Sequence, residues 1–379
     1  MCTVIGFELS GAVVIPSPLK MGGHSNTGLP SGHRGIYSRY AVSTLKPPAG
    51  LLSMPHSPDF QPPALLQNAH LQSVLASVPP RSSGVRRRAA NFRELSADVI
   101  VDCGAGVRLL GHVALNPGSG NGRMVVMIHG WEGSAESTYM LSVAPLLLAQ
   151  GYSIFRLNLR DHGDSHHLNE DLFHSCRLDE VVGAFGWIQR QYPQMSLSIV
   201  GYSLGGNFSL RVADAAPGAG LAIDRVVAVC PVLNPAQTMI ALDRGWWVYR
   251  RYFQRRWSNS LVKKSDAFPA RYSFGKLRSF TNLTDMTAYF VSRYTDYPDL
   301  YTYLNGYALT GERLAGLQVD STLLLADDDP VIPVEGLADM HVPAALRVQR
   351  TAHGGHCGFL QDLRLDSWLD HFVLDELER

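Results

Sequence analysis

The chain has 379 residues, enough for one large or two average domains, each with a substantial apolar core. Its 33 basic and 33 acidic residues balance, so overall charge gives no reason to expect nucleic acid as a partner. The five cysteines are scattered and never form a Cys-x-x-Cys pair. We therefore expect free thiols in a reducing, cytoplasmic environment.

The N-terminal part differs in composition from the rest of the chain. Its first apolar stretch lacks a basic start, is interrupted by Glu8 and is too short to span a bilayer. The residues that follow, up to Ser53, are rich in Gly, Ser and Pro and have no lasting periodicity. We predict a disordered extension over 1–53, with Met54 as an alternative start, and one domain over 54–379.

Beyond this extension the hydrophobic pattern becomes regular. Alternating runs at 93–103 and 106–115 predict a half-exposed hairpin. Short apolar runs then alternate with helix-like segments, which predicts βαβ crossovers and a mostly parallel sheet with helices on both faces. These apolar runs are 123–130, 153–160, 196–203, 225–233, 321–328 and 346–353.

One segment interrupts this alternation. Residues 236–317 separate two predicted strands that a short crossover would normally connect. We predict that this insertion covers the carboxyl ends of the strands, where ligands bind in sheets of this kind.

The clearest motif follows the run at 196–203. The sequence Gly201-Tyr202-Ser203-Leu204-Gly205 fits the G-x-S-x-G nucleophile elbow, and it stands between a strand-like and a helix-like segment as that motif requires. The turn would hold the serine in a strained conformation, and only glycines would let the strand and the helix approach so closely. Ser203 is therefore the predicted nucleophile.

A serine nucleophile needs a base, and in this strand-turn-helix context the acid and the histidine follow it in the chain. His371 lies in an apolar-periodic helix and His341 precedes Pro343, so neither is favoured. His353 and His356 lie on a glycine-rich loop after the last predicted strand. We predict His356 as the base, with His353 as the alternative.

At this point the sequence resembles the YheT-like branch of the α/β-hydrolase superfamily, which includes bacterial esterases and eukaryotic lipid hydrolases and acyltransferases. The resemblance runs from about Gln67 to the C-terminus, and it implies an α/β-hydrolase fold, a serine hydrolase and a helical lid at 236–317. The pieces that carry it, in order, are NAHLQSVL (68–75), HGWEGSAESTY (129–139), NLRDHGDS (158–165), GYSLGGN (201–207), ADDDPVIP (326–333) and GGHCGF (354–359).

The family pattern also implies the acid of the triad. The acid usually stands two residues past a small residue at a strand end and just before an apolar pair, which favours Asp329. Pro330 restricts Asp329 to an extended conformation, so neighbouring carboxylates would point to opposite sides. Asp328 would then accept hydrogen bonds within the loop. Asp328 and, less favoured, Asp327 remain alternatives, because three aspartates in a row blur the register.

Two backbone N–H groups should form an oxyanion hole. One belongs to the residue after the nucleophile, Leu204, and the other to the loop after the third strand, at Trp131. The side chain of Trp131 would then be free to form a wall of the acyl pocket. We expect His129 to hold this loop by a hydrogen bond.

Two further clusters have ordinary interpretations. The histidines at 162, 166, 167 and 174 lie among carboxylates but lack a metal-site spacing, so we expect neither a metal nor a cofactor. The segment Arg244–Trp257 interleaves five arginines with six aromatic residues. We expect an amphipathic helix that covers an apolar pocket, with weak contact to a membrane surface or to single-stranded nucleic acid as alternatives.

The sequence therefore predicts an enzyme that hydrolyses carboxylic esters with an apolar acyl chain of short to medium length. Ser203, His356 and Asp329 would form its triad, and Trp131 and Leu204 its oxyanion hole. The alternatives are acyl transfer to an alcohol by the same triad, and an inactive binding protein on the same fold.

Deleting residues 1–53 should leave the melting temperature and the activity nearly unchanged, because no apolar periodicity there would contribute to a core. Differential scanning fluorimetry of the full and shortened chains would test this. A loss of several degrees would contradict the predicted boundary.

Overall fold

A computed structural model of the protein describes residues 60–118, 120–275 and 277–379. The extension predicted at 1–53 lies outside the described residues. The described chain forms an eight-stranded sheet with the order β1-β2-β4-β3-β5-β6-β7-β8. The strands are β1 (Ala97–Asp102), β2 (Arg108–Ala114), β3 (Arg123–Ile128), β4 (Ser153–Asn158), β5 (Ser196–Tyr202), β6 (Ile223–Val229), β7 (Ser321–Ala326) and β8 (Leu346–Thr351).

The sheet is mostly parallel, as predicted. β1 and β2 form the expected antiparallel hairpin, and β2 also runs antiparallel to β4. All other neighbouring strands are parallel. β4 and β7 are buried along their whole length, which explains their continuous apolar character.

Helices connect the strands. Those outside the insertion are α1 (Ala69–Leu75), α2 (Arg81–Arg88), α3 (Ala90–Glu94), α4 (Thr138–Ala149), α5 (Leu178–Gln191), α6 (Leu204–Ala219) and α11 (Trp368–Glu378). Those between β6 and β7 are α7 (Pro235–Arg244), α8 (Trp247–Ala267), α9 (Leu283–Tyr294) and α10 (Leu300–Gly306). Within the described ranges, no helix is both long and apolar enough to cross a lipid bilayer.

The insertion predicted at 236–317 is helical, but its arginine-rich segment is not one continuous helix. α7 ends at Arg244 and α8 begins at Trp247. Gly245 allows this break because a Cβ atom there would lie 2.4 Å from the carbonyl oxygen of Ala241. The amphipathic helix predicted for this segment therefore starts three residues later and continues to Ala267.

A buried ion pair attaches α8 to the loop after β4. The ammonium group of Lys264 is 2.8 Å from Asp161 Oδ1 and also donates to the carbonyl oxygens of Asn169 and Asp171. Lys264 is fully buried. Burial opposes the charge of both partners, so each of them depends on the other to stay ionised.

Lys264→Met should lower the free energy of unfolding by about 3–5 kcal/mol, because Asp161 would remain buried without its cation. The neighbouring Lys263 provides a matched control. It lies 3.6 Å from Asp164, and both side chains are largely exposed. Lys263→Met should therefore change stability by less than about 0.5 kcal/mol in urea denaturation. Equal effects of the two changes would contradict the structural role of the buried pair.

Candidate active site

Ser203 lies in a sharp turn between β5 and α6. Its backbone has φ 54° and ψ −119°, a region that non-glycine residues rarely adopt. A Cβ atom on Gly201 would lie 2.2 Å from Ser209 Oγ, and one on Gly205 would lie 2.2 Å from the carbonyl oxygen of Ile128. Both glycines are therefore required by close packing, as the sequence motif predicted.

His356 lies between Ser203 and Asp329. Its Nε2 is 3.0 Å from Ser203 Oγ, and its Nδ1 is 2.8 Å from Asp329 Oδ2. The carboxylate is almost completely buried and the imidazole largely so. The structure thus brings together the three residues that the sequence predicted, with hydrogen-bond distances typical of a serine nucleophile, its base and an orienting acid.

The three consecutive aspartates have three different partners. Asp327 forms a bidentate ion pair with Arg350, and Asp328 accepts a hydrogen bond from the backbone N–H of Gly355. Asp329 Oδ1 accepts the N–H groups of Val331 and Ile332, which leaves Oδ2 for His356. The geometry therefore favours Asp329 over its two neighbours as the triad acid.

The loop before His356 depends on its glycines and on α1. Gly354 and Gly355 have φ values of 145° and 53°, and a Cβ atom on Gly355 would lie 2.4 Å from the carbonyl oxygen of Ala69. Ser73 Oγ, on α1, accepts the N–H of His356 at 2.8 Å. His353, the alternative base, has its Nδ1 3.6 Å from Asp328. The histidine that contacts Ser203 Oγ is His356.

Trp131 and Leu204, the two predicted oxyanion donors, line the same cavity as Ser203. Leu204 is the first residue of α6, and within the described part of the chain neither N–H has a hydrogen-bond acceptor. A Cβ atom on the neighbouring Gly130 would lie 3.1 Å from Ser203 Cβ, which measures how closely this loop approaches the nucleophile. Both N–H groups are therefore free to bind an oxyanion.

His129 holds this loop, as expected. Its Nδ1 donates to the carbonyl oxygen of Gly130 at 2.7 Å, and its Nε2 accepts the N–H of Leu159 at 3.1 Å. Burial lowers the pKa of His129 to about 3, so the ring stays neutral. It acts as a cross-link between the loops after β3 and β4.

A cavity of about 120 Å³ opens at Ser203. Trp131 forms one wall, stacked on Phe253 of α8 with ring centroids 5.3 Å apart. The remaining wall combines the loop after β4 with α7 to α10 of the insertion. The apolar side chains that line it include Leu172, Met239, Leu242, Trp257, Leu261, Phe290, Val291 and Tyr294.

The opposite face of α8 is exposed. Trp247 and Tyr252 are more than half exposed, and Arg251 and Arg255 lie beside them. Contact between this face and a membrane surface stays a prediction.

The pKa of His356 reflects two opposing effects. Burial is the largest single effect and lowers it, but the charge and hydrogen bond of Asp329 together with the neighbouring Cys357 outweigh burial and raise the pKa to about 9. A base must be neutral to accept a proton, so activity that depends on this ring should increase with pH up to about 9.

The histidines of the loop after β4 do not converge on one point. His162 Nε2 accepts the N–H of Glu132, and His166 Nε2 lies 2.9 Å from Ser260 Oγ. In the described ranges, the group close enough to hold a metal ion is His356 with Cys230 and Cys357, whose ligand atoms lie within 4.8 Å of one another. The sequence analysis did not anticipate that these two thiols, free and buried, lie beside the base.

Comparisons with known proteins identify the family of the chain. The model of the family described as alpha/beta hydrolase fold matches residues 123–363. The chain belongs to this family. The predicted α/β-hydrolase fold is therefore confirmed.

This α/β hydrolase is 25% identical over 328 residues to YheT of Escherichia coli, which is named as a proposed esterase. The match covers 85% of the chain and 93% of YheT, so the resemblance read from the motifs is confirmed. An esterase of Pyrococcus furiosus has a similar fold, with a TM-score of 0.50 and 16% identity over 75% of this chain and 92% of that one. A serine hydrolase of Cycloclasticus zankles has the same TM-score and identity, over 75% and 97%.

Several residues around the site were missed by sequence reasoning. Gln72 is fully buried and forms hydrogen bonds with both backbone groups of Leu360, which fastens α1 under the histidine loop. Lys264 and Glu132 both line the cavity. A lysine in a charged helix and a glutamate in a loop give no sequence signal of burial, so only their tertiary surroundings identify them.

The pH dependence of kcat/KM should have a midpoint near pH 9 in the wild type, because only the neutral form of His356 can accept the proton of Ser203. Asp329→Asn should remove the charge that raises this pKa, and it should lower kcat on the order of ten-thousandfold.

Asp328→Asn and Asp327→Asn are the controls, and each should reduce kcat by about tenfold or less through disturbance of the loop. Circular dichroism would check that all variants are folded. If Asp328→Asn were the most damaging of the three, the assignment of the acid would be off by one residue.

Proposed function

We propose that the protein hydrolyses carboxylic esters with an apolar acyl chain of short to medium length through an acyl-enzyme on Ser203. The observation that carries this proposal is the continuous hydrogen-bonded contact from Asp329 through His356 to Ser203. The similarity to YheT, itself a proposed esterase, supports the same reaction class.

The first half of the reaction would form the acyl-enzyme. His356 Nε2 would accept the hydroxyl proton as Ser203 Oγ attacks the ester carbonyl carbon. The N–H groups of Trp131 and Leu204 would bind the oxyanion, and the dipole at the start of α6 would favour the same negative charge. The imidazolium would then protonate the leaving alcohol.

The second half would release the acid. Water would enter the position of the alcohol and give a proton to His356 as it attacks the acyl-enzyme. Collapse of the second tetrahedral intermediate would return that proton to Ser203 Oγ. Throughout, Asp329 would fix the orientation of the imidazole ring and stabilise its charged form.

The cavity supports an apolar acyl group. Aromatic and aliphatic side chains dominate its wall, so an alkyl chain would gain free energy by leaving water. A volume of about 120 Å³ favours short to medium chains over long ones.

Ser203→Ala should abolish both ester hydrolysis and labelling by a fluorophosphonate, because it removes the nucleophile and leaves the backbone turn intact. A panel of p-nitrophenyl esters from acetyl to palmitoyl should give the highest kcat/KM at short to medium length. Cys230→Ser would be a matched control that keeps the triad and should retain labelling.

The same experiment separates the alternatives. A wild-type protein that neither reacts with fluorophosphonate nor cleaves any ester would indicate a binding protein on this fold. If an added alcohol diverted most of the acyl group into a new ester at low concentration, acyl transfer would replace hydrolysis as the main reaction.

A further inference from the structure

The cavity beside Ser203 has a polar end. Four polar side chains that contribute to its lining are those of Glu132, Asp161, Ser260 and Lys264. Asp161 and Lys264 neutralise each other at 2.8 Å, and Ser260 Oγ donates to the carbonyl oxygen of Asp161. Glu132 is different, because its carboxyl group has no hydrogen-bond partner in the described residues.

The position of Glu132 is fixed although its carboxyl group is unpaired. Its N–H donates to His162 Nε2 at 3.1 Å, and its carbonyl oxygen accepts a hydrogen bond from Arg256 at 2.6 Å. Its backbone has φ 56°, and the residue is only 8% exposed. It follows directly on Trp131, and both residues line the cavity that opens at Ser203. A ligand bound in this cavity can supply the hydrogen-bond partner that the protein does not provide.

The surroundings determine what the carboxyl group can bind. Burial raises the pKa of Glu132 to about 8, although the positive charge of Arg256 opposes this. The group is therefore mostly neutral at pH 7 and can both donate and accept a hydrogen bond. The nearby charges of Arg256 and Lys263 disfavour an ammonium group, and Asp161 disfavours a second carboxylate. A hydroxyl group can both donate a hydrogen bond to this carboxyl group and accept one from it, and it adds no charge.

We propose that Glu132 binds a free hydroxyl group of the substrate, so that the enzyme prefers esters that carry a hydroxyl group within reach of this end of the cavity. This inference rests on the proposed ester hydrolysis and adds the substrate class to it. The hydroxyl belongs to either the alcohol or the acyl part, and the two sources are distinguishable by experiment. A site built to pair with a hydroxyl discriminates strongly against the analogue that lacks it.

Matched ester pairs test this proposal. One pair is p-nitrophenyl hexanoate and its 6-hydroxy derivative, and the other is ethyl hexanoate and 2-hydroxyethyl hexanoate. In the wild type, kcat/KM should be about ten- to hundredfold higher for the hydroxylated member of at least one pair. The pair that shows the preference identifies the part of the substrate that reaches Glu132.

Two variants assign the preference to the side chain. Glu132→Met has a similar volume but cannot form hydrogen bonds, so the ratio of kcat/KM values within the preferred pair should fall to about one. Glu132→Gln keeps a donor and an acceptor and should retain most of the preference. The plain esters control for damage to the triad, and melting temperatures control for folding.

Binding without chemistry provides a second measurement. Hexane-1,6-diol should raise the melting temperature of the wild type and of Glu132→Gln more than hexan-1-ol does, and the two alcohols should act equally on Glu132→Met.

Equal kcat/KM within both pairs for the wild type would overturn the proposal, and so would an equal loss on all esters in Glu132→Met. Failure of the wild type to cleave any ester would instead overturn the proposed hydrolysis itself. In that case, a diol effect that depends on Glu132 would still support the hydroxyl site.

Discussion

The close contact between α6 and the end of β3 sets the geometry of the whole site. Gly205 lies so near the carbonyl oxygens of Ile128 and His129 that no side chain fits there. This contact forces Ser203 into a strained turn and places it beside the loop that carries Trp131. The nucleophile and the two free N–H groups are therefore positioned by one packing constraint, which costs backbone strain and is maintained by the buried sheet around it.

The histidine loop is held from several sides. β7 and β8 run parallel, so the aspartates after one strand and the histidine after the other emerge at the same edge of the sheet. Asp328 fixes the backbone of Gly355 and Ser73 fixes that of His356, while Asp329 fixes the ring. The neighbouring carboxylates thus support the loop, and one of them faces the imidazole.

The insertion completes the cavity and is firmly attached. Lys264 connects α8 to the loop after β4, and an aromatic and aliphatic cluster around Phe290 and Tyr272 packs against Leu172 of that loop. Arg256 binds the carbonyl oxygen of Glu132 and so links α8 to the loop beside the nucleophile. These contacts join the apolar wall and its polar end to the same rigid sheet.

The sequence by itself determined the features that have local causes. A strand-turn-helix pattern with glycines around Ser203, alternating strands and helices, and a glycine-rich loop at His356 each follow from backbone sterics or hydrophobic period. The helix break between Arg244 and Trp247 also has a local cause, at Gly245. The sequence analysis nevertheless predicted one amphipathic helix there, because aromatic and arginine residues alternate on both sides of the glycine.

Only the tertiary structure decided which charged and polar side chains are buried and which distant residues they pair with. Three adjacent aspartates have the same side-chain chemistry, and their roles separate only through their partners Arg350, Gly355 and His356. Glu132, Lys264 and Gln72 likewise read as ordinary polar residues until packing removes them from water. Burial and pairing are properties of the assembled fold, because desolvation and charge interactions depend on neighbours that the local sequence does not name.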